Sequence, residues 1–182
     1  MINKIGIYSA LTSFLIGTIL MLIFYFTNSN DIIGISIYFI GIAVLVNFGI
    51  LLVLIIDILT EKENRKKNLR TSGIILLNVP VIILYFYFAM FLLSIMRITF
   101  INETEKIITD LKIIGGELKT IKELEIGEKK TEWISIISGN DLVIEYKIGG
   151  EIKTEMVYSY MITGEKFKHR IGNDTNQINQ TN

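Results

Sequence analysis

The chain has 182 residues, 51% of them hydrophobic, with a mean hydropathy of +0.50 and a formal net charge of zero. It has no cysteine, which excludes disulfides, thiolate nucleophiles and cysteine-based metal centres. From Arg97 onward 12 Lys and Arg stand against 14 Asp and Glu, so no basic face is expected there, and nucleic-acid binding, which needs several cations on one surface, is not expected either.

The charge is unevenly spread. Residues 5 to 98 carry almost none outside one connector, whereas residues 99 to 182 are charged throughout. That asymmetry predicts a membrane protein of α+β class: a bundle of three transmembrane helices over residues 1–98, a small all-β, sandwich-like domain over 99–171, and a disordered polar tail over 172–182.

A membrane-spanning helix needs about 20 apolar residues. Three runs qualify, at 5–26, 32–59 and 73–96. The first has Lys4 before it, as a signal peptide would, but its apolar stretch is too long and no small-x-small cleavage site follows "FYFTNSN". The second has 28 residues, about 42 Å of helix, so it tilts or protrudes. Only "TNSND" separates the first two runs, which predicts an antiparallel hairpin.

The second connector, "TEKENRKKNLR", carries Lys62, Arg65, Lys66, Lys67 and Arg70. Basic residues in short loops stay on the cytoplasmic side. Lys4 lies on the same side after two crossings. The N-terminus is therefore expected in the cytoplasm of an inner or plasma membrane, and residues 99–182 outside it.

Within the apolar runs, Ser9, Ser13 and Gly17 recur at four-residue spacing, a stripe that lets helices approach closely. Asn47, by depth, is expected opposite Gly17 and Thr18, and Asn78 near Thr12 and Ser13. Each amide either bonds to a neighbouring helix or lines a polar path. Pro80 frees the carbonyl of Leu76 and predicts a kink. Asp57, about a turn from the inner surface, is expected to pair with Lys62 or Arg65.

From Ile98 the pattern alternates, as in "DLVIEYKI". Seven strands are expected, at 97–102, 106–114, 117–124, 130–137, 142–148, 151–159 and 166–171. Leu142, Ile144, Tyr146 and Ile148 form one buried face, continued by Ile152, Met156 and Tyr158 on the next strand. In the fourth strand either Trp133, Ser135 and Ile137 or Ile134 and Ile136 face inward. The lone Trp is expected in the core. "IGGELKT" and "IGGEIKT", 34 residues apart, match at six of seven positions. Both Gly-Gly pairs suit hairpins, because both turn positions then tolerate positive φ. Flanking residues do not match, which favours similar turn chemistry over a duplication.

The stretch "INETEKIITDLKI" to "KELEIGEKKTEWISI", with Asn102, Leu124, Gly127 and Glu128, resembles small immunoglobulin-like β-sandwich domains of bacterial envelope proteins across residues 98–137. Proline is absent before the glycine, where Ile126 stands, and so is a Cys pair. The resemblance implies adhesion or partner binding.

The only histidine, His169, lies among Lys and Arg in "KFKHRIG" and is expected on a solvated strand. No HExxH, GxSxG, phosphate loop or dinucleotide fingerprint occurs. Glu145 and Glu155, with Lys147 and Lys153, are expected to pair across the second Gly-Gly hairpin. No enzyme, cofactor or metal is therefore expected. Sequons stand at Asn102, Asn173 and Asn179.

These features predict a non-enzymatic membrane protein displaying its β domain for protein binding or assembly of an envelope complex, an immunity-type protein being one form of that role. Its expected partners are the lipid bilayer and another membrane or envelope protein, or a second copy of itself, and not nucleic acid. The alternative is a small transporter or channel subunit whose polar path uses Asn47, Asp57 and Asn78.

Overall fold

A computed structural model describes residues 1–61, 63–136 and 139–172. The chain divides into two compact units, Met1–Met90 and Phe91 onward.

The first unit is helical. Helices α1 (Ile2–Thr27) and α2 (Asn30–Thr60) are joined by a tight link in which Asn28 takes a left-handed conformation, φ 57°, and its N–H caps Phe24. Asparagine tolerates that conformation at a helix end. Gly6 meets Ile50 and Ser9 meets Asn47, so residue numbers rise on one helix as they fall on the other: the pair is antiparallel, as expected. Helices α3 (Arg65–Leu76) and α4 (Asn78–Ser94) are two parts of one long segment interrupted at Leu77. Pro80 has no N–H for the Leu76 carbonyl, and the break falls there. The segments Ile2–Thr27, Asn30–Thr60 and Arg65–Ser94 are each long and apolar enough to cross a membrane.

The third segment differs from its expected limits of 73–96. It begins eight residues earlier, so Arg65, Lys66, Lys67 and Arg70 are helical and not part of a loop, and Met96 belongs to a strand. Packing explains the early start. Asn68, Thr71, Ser72 and Ile75, at helical spacing, are all buried, giving this turn of polar sequence a face to lay against α1 and α2.

The second unit contains β1 (Met96–Asn102), β2 (Ile108–Ile114), β3 (Lys119–Leu124), β4 (Lys129–Ile134), β5 (Leu142–Ile148), β6 (Glu151–Tyr158) and β7 (Lys166–Ile171). They form two sheets, of order β4-β1-β7 and β3-β2-β5-β6. Neighbours are antiparallel except β1 and β7, which are parallel. Both sheets contribute to one core, with Met96, Ile98, Phe100, Ile134 and Ile171 from the first and Ile108, Leu111, Ile113, Ile121, Leu124, Leu142 and Ile144 from the second. The α+β architecture, with seven strands after three apolar helices, is as the sequence pattern predicts.

Two face assignments change. Ile134 is fully buried, so Trp133 points away from the core; its ring stacks on Phe91 at 6.0 Å between centroids. Ile137 lies outside the described residues. On β6 the expected inward residues Ile152 and Met156 are 63% and 60% exposed, and Val157 is buried instead. The turn causes this. Gly149 and Gly150, at φ 58° and 89°, form a two-residue hairpin that pairs Ile148 with Glu151. As far as Glu155, odd-numbered residues of β6 therefore share the face of Ile144 and Tyr146; beyond the register shift at Met156, Tyr158 pairs with Leu142 and packs against the core, as expected. The first Gly-Gly pair does something else: Gly115 takes φ 123° and Gly116 bridges to Ile136, within a longer connection. The two matching heptapeptides thus have different structures: the expected hairpin forms at Gly149 and Gly150 and not at Gly115 and Gly116.

Candidate functional site

In the helical unit the expected amides are met by neighbouring helices. Asn47 accepts from Ser9 Oγ at 3.2 Å and donates to Ser13 Oγ at 3.0 Å and to the Ala43 carbonyl at 2.8 Å. Its partners lie one to two turns from the expected Gly17 and Thr18. The short link at the Asn28 end fixes the register, so the extra length of α2 overhangs the start of α1 and shifts Asn47 toward Ser9. Asn78 Nδ2 donates to the Ala10 carbonyl at 3.1 Å, close to the expected depth. Thr18 instead meets Tyr85, 2.6 Å between hydroxyls.

The expected partner of Asp57 is Lys62 or Arg65, of which only Arg65 is described. It is half-buried, and no ion pair to Arg65 forms among the described residues; Lys62 lies outside them. The basic side chains Arg65, Lys66, Lys67 and Arg70 are exposed on α3.

Sequence reading missed a second polar cluster. Asn3 Nδ2 donates to Asn68 Oδ1 at 2.7 Å, and Thr71 Oγ1 donates to Asn3 Oδ1 at 2.5 Å. Asn68 Nδ2 and Ser72 Oγ are buried without a partner among the described residues. The signal was the spacing 68, 71, 72, 75, obscured because the basic residues around it read as a connector. Gly6 makes the approach possible: a Cβ there would lie 2.9 Å from Thr71 Cγ2.

In the second unit the two outer sheet faces differ in charge. On the four-stranded sheet cations and anions neutralise one another. Lys112 pairs with Glu145 at 3.0 Å and Lys147 with Asp110 at 2.9 Å. Asp110 occupies a left-handed position, φ 50°, where the β2–β5 register shifts; aspartate tolerates that conformation better than most residues. Its hydrogen bond to Lys147, and that cation's charge, hold the carboxyl below its ordinary pKa, while the bond to Asp110 and its charge raise Lys147. These residues line a shallow cavity of about 290 Å³ with Tyr146 and Ile152. The expected pairing of Glu145 and Lys147 with Glu155 and Lys153 does not form, since the hairpin register places the two sets on opposite faces.

The three-stranded sheet is different. Its register aligns Trp133, Arg97 and Lys166 in one row, Thr131, Thr99 and Lys168 in the next, and Lys129, Ile101 and Arg170 in the third. Alternation puts all nine on the face away from the core. Five are cations and none is a carboxylate. Arg97 is buried in this face, 5.8 Å from the Trp133 ring, and Lys129, Lys166, Lys168 and Arg170 are exposed. Glu103, beyond the end of β1, reaches Arg170 at 2.6 Å. Lys166 is lowered from its ordinary pKa by burial and then by the charges of Arg97 and Lys168. A near-neutral composition therefore yields a basic face, contrary to the expectation from overall charge, because register gathers the cations on one side.

His169 also departs from expectation. It is 3% exposed, with Nε2 2.9 Å from Glu155 Oε1 and its ring edge toward Phe100. Nε2 makes no directed hydrogen bond to that oxygen, so the contact is one of proximity. Tyr146 OH approaches the other Glu155 oxygen at 3.4 Å. Burial, then the charge and hydrogen bond of Glu155, push Tyr146 up to about 12.

The four residues that carry the immunoglobulin-like resemblance meet at one corner. Asn102, fully buried, donates from Nδ2 to the Leu124 and Lys106 carbonyls and accepts at Oδ1 from Thr104. Its backbone N–H donates to Glu128 and its carbonyl accepts from Gly127. The Asn102 sequon is thus enclosed, and Asn173 and Asn179 lie outside the described residues.

Among the described residues no group of three or more His, Asp or Glu is placed to hold a metal ion. No protein-family model matches the chain, and no curated protein does. A solved structure described as the NMR structure of a protein from Eubacterium rectale is similar over 44% of this chain and 81% of its own length, at 13% identity and a TM-score of 0.36.

Proposed function

We propose that this chain is a multi-pass membrane protein without enzymatic activity, whose seven-stranded unit is a binding module held outside the cytoplasm. The observation that carries the binding role is the outer face of the β4-β1-β7 sheet: five cations on nine positions that hold no carboxylate, with Glu103 reaching Arg170 from beyond β1, in a unit whose other outer face pairs Lys112 with Glu145 and Lys147 with Asp110. A surface so unbalanced suits an anionic partner. The immunoglobulin-like reading adds adhesion or envelope assembly as the setting, and an immunity role fits the same display.

The topology rests on electrostatics at the bilayer. Arg65, Lys66, Lys67 and Arg70 are exposed at the start of the third apolar segment, and such clusters resist translocation. With Lys4 on the same side, the N-terminus is cytoplasmic. Protease added to intact cells is expected to remove the second unit and spare the basic segment; the reverse pattern would invert the topology. Crosslinking in intact membranes tests the binding role, with capture of an envelope protein or anionic ligand expected and only self-contacts counting against it.

A transporter or channel subunit is the second reading. It is favoured by Asn68 Nδ2 and Ser72 Oγ, buried donors without partners among the described residues, and weakened by the hydrogen bonds that occupy Asn47 and Asn78. Replacing Asn47, Asp57 and Asn78 by apolar residues separates the two. Function that survives removes transport through those residues.

A further inference from the structure

The partner of the basic sheet face follows from where that face begins. Ser94 ends a segment apolar enough to cross a membrane, and Arg97, in the first row of the face, is three residues further on. Three residues reach at most about 10 Å. With the segment in a bilayer, that row starts at headgroup depth, beside the ring of the chain's only tryptophan. Tryptophan and basic side chains are the residues that settle at membrane interfaces. Later rows follow at about 7 Å intervals, the repeat of alternate residues in a strand, and carry Lys168, then Lys129 and Arg170, the last also meeting Glu103. We infer that this face docks on the headgroups of anionic lipids in the membrane that holds the helices. The inference rests on the binding-module reading above and names its partner.

The physical basis is additive and short in range. Each lysine or arginine near an anionic bilayer gains about 1 kcal/mol, and the gain vanishes within a screening length. The tether keeps the face close to the lipid, so a modest attraction suffices to populate the docked state. The other outer face, with Lys112–Glu145 and Lys147–Asp110 already paired, has no comparable attraction to a surface of one sign.

The test uses the full chain in nanodiscs, of phosphatidylcholine alone or with about a third phosphatidylglycerol. The chain has no cysteine, so Thr131→Cys in the middle row gives a single site for a fluorophore, read by quenching from nitroxide-labelled headgroups. Quenching is expected to be strong in anionic discs and weak in neutral ones, and to disappear at about 1 M salt, where screening acts within ~3 Å. Lys129→Gln with Lys168→Gln, both exposed, is expected to lower the docked-to-undocked ratio roughly thirtyfold while Trp133 emission keeps its native position. Equal quenching in both discs, or quenching indifferent to the two substitutions, would overturn the inference. A fluorophore that ignores lipid charge but responds to added polyphosphate in a lysine-dependent way would replace the lipid by a soluble polyanion and leave the binding module standing. A response to neither would remove both.

Discussion

His169 Nε2 lies 2.9 Å from Glu155 Oε1, and that pair joins β7, an edge of one sheet, to β6, an edge of the other. These two polar side chains occupy the interior side of a sandwich whose remaining core is aliphatic and aromatic. Removing one member strands the other in low dielectric, which costs about 1–3 kcal/mol. His169→Ala and Glu155→Leu should each destabilise the seven-stranded unit by that amount, and the double variant by less than their sum, because two apolar groups leave nothing unsatisfied. Denaturation of the four chains, followed by Trp133 emission, checks this. Additive losses would mean that the pair contributes no coupling.

Asn102 closes the opposite argument, a polar residue whose every group is used. Asn102→Ala removes two donations to carbonyls and two acceptances from Thr104, leaving the carbonyl of buried Leu124 short of a donor while that of Lys106 keeps Thr104 Oγ1. A loss near the upper end of about 1–3 kcal/mol is expected. Asn102→Asp keeps the acceptor but loses the donor and introduces a buried charge, so it should be no milder. The measurement is the denaturation midpoint of the full chain, and a midpoint unchanged in Asn102→Ala would show that the corner does not hold the sheet ends.

In the helical unit Gly6 is the point of closest approach, with Thr71, Ile50 and Ile75 all within 3.3 Å of where a Cβ would stand. Gly6→Val is expected to separate the helices and cost about 1–3 kcal/mol, and Asn47→Leu about 1 kcal/mol through its lost bonds to Ser9 and Ser13. Gly34 and Gly41 have nothing near them, so valine at either should be far milder. Thermal loss of helical circular dichroism in micelles ranks the variants, and equal effects at Gly6 and Gly41 would contradict the packing described.

The helices and strands were legible because their periods are strong: unbroken apolar runs, then alternation. What was not legible depended on register. Ile152 and Met156 look like core residues, yet the two-residue turn at Gly149 and Gly150 sets the parity of β6 and turns them outward. The same logic hid the basic face. Lys129, Lys166, Lys168 and Arg170 are scattered among acids along the chain, and only the pairing of β4 and β7 with β1 brings them together. His169 sits among Lys168 and Arg170 in sequence, and alternation alone separates it from them by a full sheet thickness. In the helices, a run dense in Lys and Arg read as a loop, because the stripe of Asn68, Thr71 and Ser72 is polar and carries no hydrophobic signal.

Alkaline pH should loosen the seven-stranded unit in a defined window. Tyr146 and Tyr158 are both pushed up to about 12, Tyr146 first by burial and then by Glu155, Tyr158 first by its hydrogen bond to Glu165 and then by burial. In the unfolded chain a tyrosine releases its proton near pH 10. The protonated phenols therefore favour the fold fully below pH 10, and that contribution is lost as pH rises from about 10 toward 12, since the unfolded state gives up its protons first. Tyr146→Phe together with Tyr158→Phe should flatten stability across this window relative to its value at pH 8, even if the variant is less stable throughout. Urea unfolding of the wild-type chain and the double variant between pH 8 and 12, followed by Trp133 emission, makes the comparison. Parallel declines in the two proteins would assign the alkaline limb to other groups, the lysine ion pairs at Asp110 and Glu145 first among them.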